Sequence, residues 1–372
     1  MKLVSRCLLL SVAVVAAALL SSSVLKRLTA VSAASRPVED NSTHQELKAF
    51  AAIQPIDVHV HIFKTDPAFQ GLLEHLNLKV LDILVMDDTT PYRRQLSSQV
   101  TDALALVRAS HGHVALCTTF DPYQFENPHF TSDAIRQLND NFAQGALAVK
   151  IWKNIGMEIK HEGKFVMADD PKFQLIYQDI AKHGKTLMSH QAEPDVAWGP
   201  PDPADPSWSY YQENPQWLLY NKPGIPSKQQ ILEARDDVLA SNPKLRMVGV
   251  HLGSMEKNLD SITAHFKRYP NFAVDTAGRM EYLMLAPRDK ARAFMVENQD
   301  RVLYGTDLDL LADANVQETL NEWQSTYARD WKFLATDQMV EYNGKHIRGL
   351  LLPHSVLRTI FRTNAQHWIP GL

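Results

Sequence analysis

Two histidines stand two residues apart in Ile56-Asp57-Val58-His59-Val60-His61, a β-branched run that reads as a strand. Residues i and i+2 of a strand leave the same face, so His59 and His61 can reach one ion together, which adjacent residues cannot. His190 closes a second such run (Thr186-Leu187-Met188-Ser189-His190), His251 closes a third (Arg246-Met247-Val248-Gly249-Val250-His251), and Asp307 follows Arg301-Val302-Leu303-Tyr304. Taken singly, each is a polar residue of the kind that a core satisfies with a hydrogen bond. Taken together, three or four imidazoles and one carboxylate at matching strand ends make a donor set for zinc or a similar divalent ion. The chain holds two cysteines, Cys7 and Cys117, so neither a thiolate-rich metal site nor a disulfide framework competes with that reading. His113 begins its run instead of ending it, which assigns it to the opposite, structural end.

Strand ends meet around one mouth in a (β/α)₈ barrel. From Pro55 onward, β-branched runs alternate with helical stretches. The remaining runs are Lys79–Met86, His113–Cys117, Ala146–Ile151 and Asn271–Asp275, and the helical stretches include 131–142, 171–183, 227–241 and 288–298. In 227–241, Ile231, Leu232, Val238 and Leu239 fall on one stripe at helical spacing. Eight strand–helix units predict an α/β fold, a (β/α)₈ TIM barrel. A doubly wound nucleotide-binding sheet is the alternative, but it wants a Gly-rich turn after an early strand, and none is present. Residues 194–226 hold eight of the twenty prolines together with Trp198, Trp208, Tyr210, Tyr211, Trp217 and Tyr220. This aromatic, Pro-rich insertion follows strand 5 on the face where barrel active sites sit. Its position predicts a lid or substrate wall, against the plainer reading of a rigid surface excursion.

Residues 1–34 carry Lys2, Arg6, Lys26 and Arg27 and no acid, around an apolar run from Cys7 to Leu20 broken only by Ser11. That shape predicts a secretory signal peptide cut after Ala33 or Ala34, with an uncleaved anchor as the competing reading, and hence a secreted or periplasmic (cell-envelope) protein. Residues 35–50 read as a polar linker and 51–372 as the barrel domain. No other stretch is long and apolar enough to span a bilayer, so a mature chain would have no membrane span. Lys plus Arg number 38 against 42 Asp plus Glu, a net charge of −4 without a long basic run. This argues against a nucleic-acid partner and for a small-molecule substrate; a monomer and an oligomer both fit.

His59-Val60-His61, His190, His251 and Asp307 resemble the metal-dependent hydrolases of the amidohydrolase superfamily. More narrowly, they resemble its amidohydrolase-2 (aminocarboxymuconate-semialdehyde decarboxylase-like) family. The resemblance runs from about Ile56 to Leu372 and includes a closing segment, Leu352-Pro353-His354-Ser355 to Phe361-Arg362-Thr363-Asn364-Ala365. It implies a barrel holding one Zn²⁺ or similar ion on His59, His61, His190 and Asp307, with His251 off the metal, polarising substrate or moving a proton. An open coordination position then holds a water whose pKa falls toward about 7, with Asp307 as its general base and His251 steadying charge on the attacked carbonyl. Lys150 ends the fourth strand. In two-ion relatives a lysine there is carboxylated and bridges the metals; otherwise it is an ammonium that holds a substrate carboxylate, or a salt-bridged barrel residue.

Arg279, just after the seventh strand, reads as a carboxylate clamp or a structural ion pair, and Asp275 as a residue orienting a ligand histidine or again a structural ion pair. Trp152, Met157 and Glu193 are expected to line the pocket, with Trp152 facing substrate, and Cys117 to be inert core. The leading expectation is a metal-dependent hydrolase of a C–N or C–O bond, in an amide, lactone or ester of a small cyclic or carboxylate-bearing molecule. The alternative is a metal-dependent, non-oxidative decarboxylase of an aromatic or unsaturated carboxylic acid. A non-catalytic binding barrel would show gaps in the donor set, and none is present.

Overall fold

The structure, a computed structural model, describes residues 41–87 and 95–372. The expected signal peptide lies outside the described residues. The compact unit runs from Gln45 to Leu372. Its centre is a parallel sheet of eight strands: β1 (Ile56–Ile62), β2 (Lys79–Ile83), β3 (Val114–Thr119), β4 (Ala148–Ile151), β5 (Thr186–Ser189), β6 (Arg246–Gly249), β7 (Phe272–Asp275) and β8 (Val302–Leu303). Each pairs in parallel with the next. The sheet curls back on its first strand. Val58 N donates to Tyr304 O at 3.0 Å and Asp307 N to His59 O at 2.8 Å, and a short β9 (Leu308–Leu310) pairs with β1 at Val60↔Leu308. This is the α/β barrel-like fold that the alternation of runs and helices predicts.

Helices start where local chemistry favours them. Asp66 accepts from Ala68 N and Phe69 N ahead of Pro67–His75, Asp170 caps Pro171–Lys182, and Ser227 forms a reciprocal capping box with Gln230 ahead of Lys228–Ser241. The stretch 35–50 is not a linker throughout: a helix covers Asn41–Ala52, and its Leu47 and Phe50 are buried in the core. Among the described residues, no helix is long and apolar enough to cross a membrane.

Ile56, Val58, Leu81, Ile83, Met188, Val248 and Leu303 share an apolar cluster that Ala365, Trp368 and Ile369 of the C-terminal segment complete. Val60, Val80, Val149, Leu187 and Val274 belong instead to the cluster packed with the surrounding helices. In β1 the register shifts between Asp57 and Val60. Because of this irregularity, Val58 packs with the first cluster, yet both His59 and His61 line the central cavity while Val60 packs outward.

Asp82 of β2 is buried; its Oδ1 accepts from Ile62 N at 2.9 Å, and Oδ2 has no partner among the described residues. Burial pushes its carboxyl up to about 7. A folded-state pKa above the ordinary value means this group favours folding below pH ~4, and that contribution is lost as pH rises through about 7. Asp82→Asn keeps the acceptor and removes the ionisation. Its stability relative to the parent is expected to improve between pH 5 and 8 by up to about 3 kcal/mol, measured by denaturant unfolding at both values. A difference independent of pH would contradict the assignment.

Candidate metal centre and substrate pocket

A cavity of about 550 Å³ opens at the C-terminal ends of the strands, lined on one side by His59, His61, Lys150, His190, His251 and Asp307. Three of the histidines have their tautomers set by an oxygen at Nδ1. His59 donates to Asp275 Oδ2 at 2.9 Å, His61 to Ile83 O at 2.7 Å and His251 to Ala277 O at 2.7 Å. Each therefore keeps its lone pair on Nε2, the arrangement seen when a histidine serves as a ligand with an outer partner. Asp307 Oδ1 lies 3.2 Å from His59 Nε2 and 3.3 Å from His61 Nε2. Donors bound tetrahedrally at about 2.1 Å sit about 3.4 Å apart, so these three atoms fit around one divalent ion. His59, His61 and Asp307 accordingly group as a candidate metal site, and His59, His251 and Asp275 as a second, overlapping group.

His190 is outside both groups. Its backbone N donates to Ile151 O, its ring lies 4.3 Å from that of His251, and its buried Nε2 stands 3.9 Å from Glu193 Oε1 with no hydrogen-bond partner among the described residues. Burial, more than any neighbour, holds His59, His190 and His251 well below the ordinary imidazole pKa, which keeps their lone pairs available. Burial alone would raise Asp307, but the imidazoles of His251, His59 and His61 outweigh it and keep the carboxyl well below the usual range.

The backbone is bent to make this arrangement. His251 does not close β6, which ends at Gly249. It sits in a left-handed run, with φ of 60° at His251, 55° at Leu252, 63° at Gly253 and 57° at Ser254. Its own N–H donates to Asp275 Oδ1 at 2.7 Å, and Arg235 Nη1 donates to Gly253 O at 2.7 Å. Asp307 also has a positive φ, 68°. Non-glycine residues held there cost of order 1–3 kcal/mol each, and such strain gathers at functional sites. Asp275 thus ties two histidines with one carboxylate.

Lys150 Nζ lies 3.3 Å from His59 Nε2, and among the described residues no carboxylate pairs with it. Burial pushes its ammonium down to about 8. Arg279 is 8% exposed and lines the same cavity. Trp152 and Glu193 line it as well, whereas Met157 packs behind the wall with Val196, Tyr211, Trp217 and Ile231. His113 Nδ1 donates to Leu78 O far from the cluster, and Cys117 is a buried free thiol that burial pushes up.

One part of the wall was not anticipated. Lys153 is buried with its ammonium 5.1, 4.7 and 4.3 Å from the ring centres of Trp152, Tyr210 and Trp217; it is ion-paired to Glu193 and donates to Tyr210 Oη at 2.6 Å. Tyr211 donates to Glu193 Oε2 at 2.7 Å. Residues of the 194–226 segment, among them Pro206, Ser207 and Tyr210, thus form part of the cavity, and Asp205 of the same segment is bonded to Tyr282 and ion-paired to Lys257. A density of aromatics beside a lysine was the available signal.

No curated protein matches the chain. Among solved structures, a dihydroxybenzoic acid decarboxylase from Polaromonas sp. JS666 with bound manganese and the inhibitor 2-nitroresorcinol superposes with a TM-score of 0.52 at 11% identity, covering 85% of this chain and 96% of that one. The 2,6-dihydroxybenzoate decarboxylase from Rhizobium gives 0.49 at 14% (85% and 98% covered), and a putative amidohydrolase from Staphylococcus aureus 0.49 at 12% (86% and 99%). At such identities the first of these speaks to the fold. Residues 165–369, which hold His190, His251 and Asp307, match the amidohydrolase family profile. The profile spans more than half of the chain, and the protein is a member of the amidohydrolase-2 family, metal-dependent enzymes of the amidohydrolase superfamily.

Proposed function

We propose that this enzyme is a non-oxidative decarboxylase of an aromatic carboxylic acid, working with one divalent ion. The observation that carries the reading is Lys150: a buried ammonium without a carboxylate partner, beside the His59–His61–Asp307 triangle, in a cavity walled by Trp152 and Trp217. A cation buried without a counter-charge is costly, and a carboxylate substrate supplies the missing partner. Aromatic side chains that line the same cavity, Trp152, Tyr210, Tyr211 and Trp217, give it apolar surface for a ring. A carboxylate-bearing amide or lactone could use that ammonium as well; the dihydroxybenzoic acid decarboxylase of similar fold is what supports decarboxylation ahead of the hydrolysis expected from sequence.

His59, His61 and Asp307 would hold the ion, with His190 Nε2 as a further donor. When bound, the ion acts as a Lewis acid toward substrate oxygen. Lys150 orients the carboxylate that leaves. The bond between ring and carboxylate carbon breaks, carbon dioxide departs, and the electron pair stays on the ring carbon, which takes one proton. His251 relays that proton from water at Nε2, since its Nδ1 is committed to Ala277 O. Asp275 orients His59 and the His251 backbone. Zinc and manganese both suit this nitrogen and oxygen donor set, and the manganese of the Polaromonas enzyme supports trying both. With either ion loaded, hydroxybenzoates are expected to release CO₂ while lactones, esters and amides stay intact. Turnover of the latter without CO₂ from any acid would restore the hydrolase reading.

A further inference from the structure

The cavity holds a second buried cation with no ion-pair partner among the described residues. Arg279 carries five N–H donors. Nη1 donates to Gly278 O at 2.6 Å, while Nε is buried without a partner among the described residues. No carboxylate lies within ion-pair distance of it there. The acids whose charge it feels most, Glu256 and Glu193, are engaged elsewhere: Glu256 with Lys228 at 3.4 Å and with Asp195 N, Glu193 with Lys153 and Tyr211. Gly278 holds the preceding turn at φ 56°, and a Cβ there would stand 3.3 Å from Asp307 Oδ2, so the guanidinium is delivered by a turn in which a side chain would be strained and crowd Asp307.

Lys150 approaches from β4 and contacts the ligand cluster, whereas Arg279 follows β7 and stacks near Tyr282, 5.8 Å from its ring centre. Tyr282 in turn bonds Ser207 and Asp205 of the 194–226 segment. Two unpaired cations at different points of one aromatic-walled cavity match two anionic groups on one ligand.

We infer that the substrate carries a second carboxylate and that the guanidinium fork of Arg279 grips it, so that the enzyme's substrates are aromatic diacids. This rests on the aromatic-acid reading above. Planar bidentate pairing makes arginine the fitting residue for a carboxylate, and a charge-assisted contact of this kind is worth about 10–100-fold in affinity.

Calorimetry on the metal-loaded full chain tests it with isophthalate, terephthalate, benzoate and 3-carbamoylbenzoate, an isophthalate with its second charge removed. The tighter-binding of the two diacids is expected to exceed both monoacids by about 10-fold or more. Arg279→Gln should erase that preference, and Arg279→Lys, which keeps the charge without the fork, should retain part of it; thermal melts confirm that both variants fold. Equal affinity for diacid and monoamide, or a preference that survives Arg279→Gln, overturns the inference. The two readings fail separately. A diacid preference lost in Arg279→Gln without CO₂ release from any acid removes the decarboxylase alone, whereas CO₂ release from monoacids without a diacid preference removes only the second subsite.

Discussion

His59→Ala loses the bound ion and at least about 10³-fold of the CO₂-releasing rate, whereas His113→Ala keeps both. The contrast follows from what each ring touches. His59 is fully buried and held at both ends, by Asp275 at Nδ1 and against Asp307 and Lys150 at Nε2. Changing an outer partner of a ligand histidine already costs about 10–100-fold in metal affinity or activity, so deleting the ligand itself costs more. Alanine also leaves Asp275 without its ring partner and lets the Lys150 ammonium turn toward Asp307, where it competes with a cation. His113 makes one bond, to Leu78 O, at the other end of the barrel, and its loss costs about 1 kcal/mol of stability. Metal content after dialysis and CO₂ release, measured on both variants, decide the matter. Equal behaviour would mean that position at the C-terminal strand ends has nothing to do with the chemistry.

The strands were legible because their periodicity is strong and each is buried on both faces, which writes β-branched runs into the sequence. The pairing of His59 with His61 was legible for the same reason: a two-residue spacing survives whatever surrounds it. What that spacing did not reveal is the irregularity between Asp57 and Val60, which lets the histidines line the cavity although Val58 packs with the other apolar cluster. Nothing in local residue type marks that shift. His251 was placed one element too early. Val250 and His251 look like a continuing strand, yet the chain turns left-handed at His251, held by Asp275 and Arg235 from elsewhere in the sequence. The Lys153–Glu193 pair and its aromatic cage depended on bringing residues 152–153, 193, 210–211 and 217 together. Those positions lie in loops or in the short helices Trp208–Glu213 and Pro215–Trp217, where neither period 2 nor period 3.6 runs long enough to carry information. The polar stretch 35–50 misled because a helix that buries only a few residues, here Leu47 and Phe50 among them, reads as solvated sequence.

His251→Asn separates the proton-moving role from metal binding. Asparagine is among the few residues that adopt the left-handed backbone readily, so the turn at φ 60° and the N–H bond to Asp275 survive the change. Its amide presents neither the basic Nε2 nor a group that titrates near neutrality. The metal triangle of His59, His61 and Asp307 contains no atom of His251. The variant is therefore expected to keep its full metal content while its rate falls by about 10²–10⁴, the range that positioned acid–base groups supply. The fall should appear in kcat and leave the affinity for a bound acid nearly unchanged, because in the proposed reading Lys150 and Arg279, on other strand ends, hold the anion. Metal analysis, a kcat–KM comparison and calorimetry with a non-reacting acid measure the three quantities. Loss of the ion together with the rate would place His251 among the ligands instead, sharing a second ion with His190, whose ring lies 4.3 Å away and whose Nε2 has no hydrogen-bond partner among the described residues. The cavity would then hold two ions with Lys150 between them, and the argument from its unpaired ammonium would fall with the single-ion site.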